Sequence, residues 1–174
     1  SYAGDVTVVN DGSISAESIN LYATGINAQS VYGAVSVDNN GTISAYSNGT
    51  AVGIIAGSVY DDVSVYNSGD IDATSRNGNA YGVYATSVYG DVSVDNYGGT
   101  ISASARGYAI GIYASSIYGT VSIENSGDIS AYSYAGFAAG INASSVFGDV
   151  NITSAGGDIS TNSAYGQAIG IAAF

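Results

Sequence analysis

The sequence predicts an all-β protein, a right-handed parallel β-solenoid with three short strands in each coil and no α-helix. Three observations carry this prediction. A unit of about 29 residues recurs six times and fills the 174-residue chain. Within each unit, apolar and polar residues alternate with period two, which is typical of half-buried strands. Gly- and Asn-containing turns separate the alternating stretches.

The repeat is marked by a valine in the phrase Gly-Asp-Val-Ser-Val and its variants. Successive marker valines are 29, 28, 29, 29 and 29 residues apart. A fixed period of this size indicates coils that bury their apolar faces against their neighbours. We therefore predict one solenoid domain over residues 1–174, wound right-handed because parallel crossover connections nearly always have that hand. The predicted repeats are 1–30, 31–58, 59–87, 88–116, 117–145 and 146–174.

The fourth unit shows the predicted elements in order. Strands are expected at 92–95, 100–103 and 109–114, where β-branched residues alternate with small or polar ones. The turns between them fall at 96–99 and 105–107, which are rich in Asn and Gly. No window has a useful period of 3.6 residues, so we expect no helix.

Stacked coils place like residues over like, so that columns of the repeat become ladders. We expect inward columns of valine and isoleucine, in which each buried side chain contributes about 1.5–3 kcal/mol. The isoleucine ladder of the second strand is Ile14, Ile43, Ile71, Ile101, Ile129 and Ile159. The ladder of the third strand is Ile26, Ile54, Val83, Ile112, Ile141 and Ile171.

Two further columns are expected to mark special backbone positions. An asparagine follows the first strand, where its amide can bridge neighbouring coils and satisfy the turn. This ladder is Asn10, Asn39, Asn67, Asn96 and Asn125, and Ser154 interrupts it. A glycine lies inside each third strand, for example Gly111, and there the alternation slips by one residue. A bulge or bend at that glycine would explain the slip.

The outward columns are the candidate functional surfaces. Pairs of Thr, Ser or Asp on the second strand, including Asp70 and Asp72, could order water as in ice-binding solenoids, could help to hold Ca²⁺, or could be a solvated face. A second acidic column contains Asp62 and Asp91 one coil apart, where they would repel unless a cation lay between them. The alternative for this column is that the carboxylates form turn hydrogen bonds and discourage lateral aggregation. We expect no cofactor other than Ca²⁺ on these four aspartates.

Tyrosine is the commonest large residue, with 16 copies, and it also falls into columns. Outward aromatic ladders can stack sugar rings or contact partners, or they can stabilise the rod by stacking across coils. The longest column is Tyr32, Tyr60, Tyr89 and Tyr118, followed by Phe147, and a shorter one contains Tyr84 and Tyr113.

Composition excludes several classes of function. The chain has 14 acidic residues, two arginines and no Lys, His or Cys, for a net charge of −12. Such a surface repels nucleic acid and anionic membranes. Without His, Cys or Lys there can be no catalytic triad, thiol nucleophile or Schiff base. The loops have nearly equal lengths and build no cleft, so we expect no enzyme.

The segments GDVSVDNYGGTISASARGYAIGIYASS and GTVSIENSGDISAYSYAGFAAGINASS resemble the repeats of bacterial autotransporter-type passenger domains. The resemblance covers all six units. It implies export to the bacterial cell surface in a longer, adhesin-like protein, whose signal and membrane anchor would lie outside this chain. It implies no catalytic residue.

These observations favour a mechanical role outside the cell, as a shaft, stalk or filament subunit. The end coils would expose unpaired backbone groups and the apolar core, so the expected partner is another copy, joined end to end. Host or matrix glycans are further candidate partners. The alternative is a ligand-binding face for ice, glycan or Ca²⁺ on the Thr/Ser/Asp or Tyr columns.

Overall fold

The chain folds into a three-sided β-solenoid of six coils. The structure, a computed structural model, describes residues 1–174 without a gap and contains eighteen strands and no helix. It therefore has no apolar helix of the length that crosses a membrane. The strands form three six-stranded sheets in which every pairing is parallel. The fold class predicted from the repeat is confirmed, while the hand of the winding stays a prediction.

Each coil contributes one strand to each sheet. Sheet 1 contains Val6–Asn10, Val35–Asn39, Val63–Asn67, Val92–Asn96, Val121–Asn125 and Val150–Ser154. Sheet 2 contains Ser13–Ser18, Thr42–Ser47, Ile71–Ser75, Ile101–Ala105, Ile129–Ser133 and Ile159–Ser163. Sheet 3 contains Tyr22–Gln29, Thr50–Gly57, Ala80–Thr86, Ala109–Ser116, Ala138–Ser145 and Ala168–Ala173. Below, coils 1 to 6 are the six repeats in chain order.

The strands of each sheet pair in register with their copies one coil away. In sheet 2, Ile71 lies opposite both Ile43 and Ile101, and the isoleucine file continues to both ends of the solenoid. Neighbouring strands of a sheet are about 4.8 Å apart, so six coils make a rod roughly 29 Å long. Stacking of like residues over like along one axis is thus the main feature of the fold.

The interior divides into a large aliphatic core and a narrow corner of alanines. Valines of sheet 1 and isoleucines of sheets 2 and 3 form the core, and in the middle coils they are at most 2% exposed. A second buried cluster lies where sheet 2 meets sheet 3, and all of its members are alanines. Little more than a methyl group fits where the two sheets converge, which explains why these columns hold alanine in coils 1 to 5; only the end coil has a larger residue, Thr161, in one of them.

The glycine inside each third strand lies at a break in the ladder. Ile110 pairs with Ala139 and Ile112 pairs with Ile141, but Gly111 between them has no partner in the register. This is the slip predicted from the sequence. A Cβ at Gly111 would lie 2.3 Å from Cγ2 of Ile129 in the next coil and 2.6 Å from the Gly140 carbonyl oxygen. The position therefore requires glycine because of the close approach of the next coil.

Small differences in length are absorbed at the corners, and the corner between sheets 1 and 2 gives an example. Four residues separate Asn96 from Ile101, whereas three separate Asn125 from Ile129. The extra residue in coil 4 is accommodated by Gly98 at φ +93°, a conformation that favours glycine. Coil 6 uses the same device, with Gly156 and Gly157 at positive φ. The ladders on either side of the corner keep their register.

The asparagine column is a hydrogen-bonded ladder buried beside this corner. Asn67 Nδ2 donates to Asn96 Oδ1 at 2.8 Å, and Asn67 Oδ1 accepts from Asn39 Nδ2 at 2.7 Å. Each amide nitrogen in the middle coils also donates to the carbonyl of a corner glycine, such as Gly69. Ser154, which interrupts the column in sequence, continues it chemically by accepting from Asn125 Nδ2 at 3.3 Å.

Two serine ladders at the other corners were not anticipated from the sequence. At the corner after sheet 3, Ser87 Oγ donates to the Asp61 carbonyl of the previous coil and accepts from the Gly90 N–H of its own turn. The same two bonds recur in the neighbouring coils, at Ser58, Ser116 and Ser145. A second ladder at the corner after sheet 2 contains Ser47, Ser75, Ser133 and Ser163. The signal that could have found the first ladder is the serine three residues before the turn glycine in most coils.

Candidate functional site

The two ends of the rod are the first candidate surface. Val6, Val8 and Ile14 in coil 1 and Val150, Ile152 and Ile159 in coil 6 are only partly buried, although the same columns are buried in the middle coils. Ile171 is 44% exposed, whereas Ile141 one coil away is fully buried. Each end therefore presents a cross-section of the apolar core together with strand backbone that has a paired neighbour on one side only.

A ladder of exposed tyrosines follows the corner after sheet 3. The rings of Tyr32, Tyr60, Tyr89 and Tyr118 lie parallel, with centroids 4.8–5.1 Å apart, and Phe147 continues the stack. Each tyrosine keeps about half of its surface exposed. Stacking across coils, one of the two roles expected for this column, is thus present, and the outer ring edges remain open to a ligand.

A shallow groove lies on the outer face of sheet 3 in coils 1 to 3. Its apolar part is formed by Val52, Ile55, Tyr81 and Tyr84, and Tyr22 closes one side. Polar groups reach the same groove from Thr24, Asn27, Thr50 and Asn79. Burial and neighbouring tyrosines raise the pKa of Tyr81 and Tyr84, so both phenols stay neutral hydrogen-bonding groups at physiological pH. Tyr84 also stacks on Tyr113 at 4.8 Å.

The column that contains Asp62 and Asp91 forms hydrogen bonds from coil to coil. Asp62 Oδ1 accepts from the Asp91 backbone N–H at 2.8 Å, and Asp91 Oδ1 accepts from the Thr120 N–H at 2.7 Å. Asp5 makes the same bond to Ala34 in the first two coils. Each carboxylate thus satisfies a turn donor of the next coil, which is the hydrogen-bonding alternative considered for this column.

The aspartates of sheet 2 make similar contacts. Asp70 Oδ1 accepts from the Thr100 N–H at 2.9 Å, and Asp72 Oδ1 accepts from the Thr74 hydroxyl at 3.2 Å. Asp70 and Asp72 are separate in the fold from the column of Asp62 and Asp91, which follows a different corner. The chain contains no group of three or more acidic side chains arranged to hold a metal ion.

A third acidic column, on the outer face of sheet 1, was not singled out from the sequence. Asp95 lies next to Glu124 of the following coil, and burial together with the Glu124 charge raises the pKa of Asp95. The Tyr97 hydroxyl donates to Glu124 Oε2 at 2.6 Å, and this bond raises the pKa of Tyr97 to about 12. In coil 2 the same column holds Asp38, whose Oδ1 is buried without a hydrogen-bond partner. This column therefore places the carboxylates of Asp95 and Glu124 next to each other, and the hydrogen bond from Tyr97 offsets only part of their repulsion.

Both basic side chains of the chain lie at the corner after sheet 2, which is a further arrangement missed from the sequence. Arg76 and Arg106 line one depression together with Ser75, Ser104, Ala105 and Tyr134. The guanidinium carbon of Arg76 lies 5.5 Å from the centre of the Tyr46 ring, within the range of a cation–π contact. The sequence separates the two arginines by a full repeat, so their proximity follows only from the in-register stacking.

Comparison of the chain with protein-family models, with curated proteins and with solved structures gives no match in any of the three. The class of the protein is therefore defined by its fold: it is a β-solenoid repeat protein. The resemblance to passenger-domain repeats stays a prediction.

Proposed function

We propose that this chain is an extracellular structural segment, a shaft or filament subunit of a bacterial surface protein that stacks end to end on coils of its own kind. The observation that carries the proposal is the contrast between the ends and the middle. The same valine and isoleucine columns are buried in the middle coils and partly exposed in coils 1 and 6. A further coil at either end would bury them and pair the free strand edge.

The geometry of the ends favours coils of the same kind over an unrelated partner. Every sheet keeps its register from coil 1 to coil 6, so the two ends present matching strands in matching positions. An added coil can continue the asparagine, isoleucine and tyrosine ladders without rearrangement. This proposal holds equally for a segment inside a longer shaft and for a subunit of a filament.

The extracellular location rests on composition and on the resemblance of the repeats. The chain has no cysteine, its polar residues are mostly hydroxyls and amides, and its repeats resemble those of secreted passenger domains. Labelling of intact producing cells with an antibody raised against residues 1–174 tests the location. Staining that requires permeabilised cells would refute it.

End-to-end stacking can be tested by blocking one end at a time. Val8→Lys places a charge in the exposed core of coil 1, and Ile152→Lys does so in coil 6. Burying an unpaired charge costs free energy, so a second copy should no longer bind at the altered end of each variant. In sedimentation velocity, the unaltered chain should form assemblies whose size grows with concentration. Either variant alone should remain a monomer.

Two controls make the result specific. Thr7→Lys and Asn151→Lys add the same charge on exposed positions of the same strands and should leave assembly intact. A mixture of the two blocked variants should form dimers and nothing larger, since each retains the end that the other has lost. An unaltered chain that stays monomeric at all concentrations, with circular dichroism showing it folded, would refute the filament subunit and leave only the segment of a longer shaft.

The second candidate function is glycan binding in the groove of sheet 3. Aromatic faces beside amides and hydroxyls are the groups that contact sugar rings, and the groove combines Tyr81 and Tyr84 with Asn27 and Asn79. A glycan array should then give binding that Tyr84→Ala removes and Tyr118→Ala, in the separate tyrosine ladder, leaves unchanged. Binding that is equal in both variants would exclude the groove.

Ice and Ca²⁺ binding on the Thr/Ser/Asp columns remain predictions with direct tests. Thermal hysteresis would be the sign of ice binding. For Ca²⁺, the midpoint of thermal unfolding should rise with added calcium and fall with a chelator. An unchanged midpoint would remove Asp62, Asp91, Asp70 and Asp72 as metal ligands.

A further inference from the structure

The only two cations on side chains lie in adjacent coils at one corner of the rod. Ser75 and Ala105 are register partners in sheet 2, so the residues that follow them, Arg76 and Arg106, lie one coil apart. Their backbones are separated by roughly the 4.8 Å spacing of neighbouring strands. Two like charges in adjacent coils repel each other.

No carboxylate lines the depression that the two arginines share. It is lined by Ser104 and Tyr134 and by the chain at Ser75 and Ala105, whose own side chains are buried. The nearest aspartate along the strand, Asp72, instead accepts a hydrogen bond from Thr74. The guanidinium groups are exposed, and their hydrogen-bonding edges are available to an anion from solution.

An outward column of sheet 2 lies beside this depression. Tyr46, Thr74, Ser104 and Tyr132 lie over one another in successive coils. Ser104 of this column and Tyr134 of coil 5 line the depression beside the arginines, which is called the notch below. Arg76 is also held over the Tyr46 ring, which limits its freedom before any ligand binds.

We propose that this notch binds an acidic sugar, with a single carboxylate or sulfate shared by Arg76 and Arg106 and the sugar ring packed against Tyr134. Guanidinium groups bind such oxyanions through paired, charge-assisted hydrogen bonds. The hydroxyls of Ser104 and Tyr134 supply further polar contacts to the sugar.

The charge of the rest of the rod limits the ligand to one anionic group near the site. The chain carries a net charge of −12, with 14 acidic residues spread along the rod. A long polyanion would be repelled by these carboxylates beyond the notch, whereas a single acidic sugar meets only the two arginines. The site therefore selects a terminal or isolated acidic residue and disfavours a uniformly sulfated polymer.

The test is a titration of the ¹⁵N-labelled chain with glucuronate, followed by amide shifts in two-dimensional NMR. Shifts should be concentrated at residues 76, 104–106 and 134, and glucose, the neutral sugar matched in ring structure, should produce none of them. Arg76→Gln or Arg106→Gln should weaken binding about tenfold, and the double variant should abolish it. Arg106→Lys, which keeps the charge but loses the planar fork, should fall between the unaltered chain and Arg106→Gln.

Two further arms distinguish the source of the oxyanion and the role of charge. Inorganic sulfate should bind more weakly than glucuronate, because it lacks the ring, and high salt should weaken both. Equal binding of sulfate and glucuronate would reduce the site to a simple anion site and overturn the sugar proposal. Glucuronate binding that survives the double variant, or glucose binding of equal strength, would overturn it as well. None of these outcomes depends on end-to-end assembly.

Discussion

The middle coils and the end coils contain the same residues in the same columns, yet their burial differs sharply. Ile101 in coil 4 is fully buried, whereas Ile14 in coil 1 is only partly buried. Asn67 has ladder partners on both sides, and Asn10 has a partner on one side only. The difference teaches that stability in this fold is a property of the contact between coils, so that a residue's contribution depends on how many neighbours its coil has.

The largest expected effect comes from deleting a middle isoleucine. Ile101→Ala should lower the free energy of unfolding by about 2–5 kcal/mol, because the surrounding ladder cannot collapse onto the cavity. Ile14→Ala removes the same atoms from a partly buried site and should cost clearly less. Chemical denaturation measures both values, and equal losses at the two positions would contradict the dependence on neighbouring coils.

The bulge glycines offer a comparison with a larger residue. Gly111→Ala should destabilise by at least about 1–3 kcal/mol, because the added methyl group would clash with Ile129 and with the backbone of Gly140. Gly170 is the matched control in coil 6, where a Cβ would have nothing within 4 Å. Gly170→Ala should be nearly neutral in thermal unfolding. A tolerated alanine at 111 would refute the close approach described for sheet 3.

The asparagine ladder should show the same dependence on position. Asn67→Ala removes two ladder bonds and the bond to Gly69, which leaves buried polar groups unpaired at a cost of about 1–3 kcal/mol. Asn10→Ala breaks one ladder bond at the open end and should cost less. The denaturant midpoints of the two variants measure these costs. A greater loss of stability in Asn10→Ala would contradict the dependence on neighbouring coils.

The smallest effect concerns the like-charged pair on sheet 1. Since the fold raises the pKa of Asp95, its protonated form is favoured in the folded state, and the stability this confers at low pH is lost as the pH rises through that raised pKa. Asp95→Asn should therefore be more stable than the unaltered chain at pH 7, by under about 1 kcal/mol at this partly exposed site. The gain should shrink at pH 3. A gain that is independent of pH would point away from charge repulsion.

Features that repeat in every coil could be predicted from the sequence alone. The period gave the solenoid and its three strands per coil, and the interrupted alternation at Gly111 indicated the bulge. The asparagine column indicated a ladder because amides can bond to their own copies. In each case one residue type repeated at one spacing was enough to indicate its physical role.

Features that depend on which corners meet could not be predicted in this way. The serine ladders were missed because Ser is common throughout the chain, and Ala105 interrupts one of them. The depression formed by Arg76 and Arg106 depends on the unequal corner lengths of coils 3 and 4, which set the two residues 30 positions apart instead of 29. Turn hydrogen bonds were one of the two alternatives for Asp62 and Asp91, but that their donors lie in the next coil required the three-dimensional register.

The in-register pairing of sheets 1 to 3 has a consequence for how such a molecule can change over time. Because each coil contacts only the one before and the one after, a whole repeat such as 88–116 can be duplicated or removed while the remaining interfaces stay the same. The reach of the rod can therefore be lengthened or shortened in increments of about 4.8 Å at constant thickness. Recombination between similar repeats would change the length of this protein by whole coils.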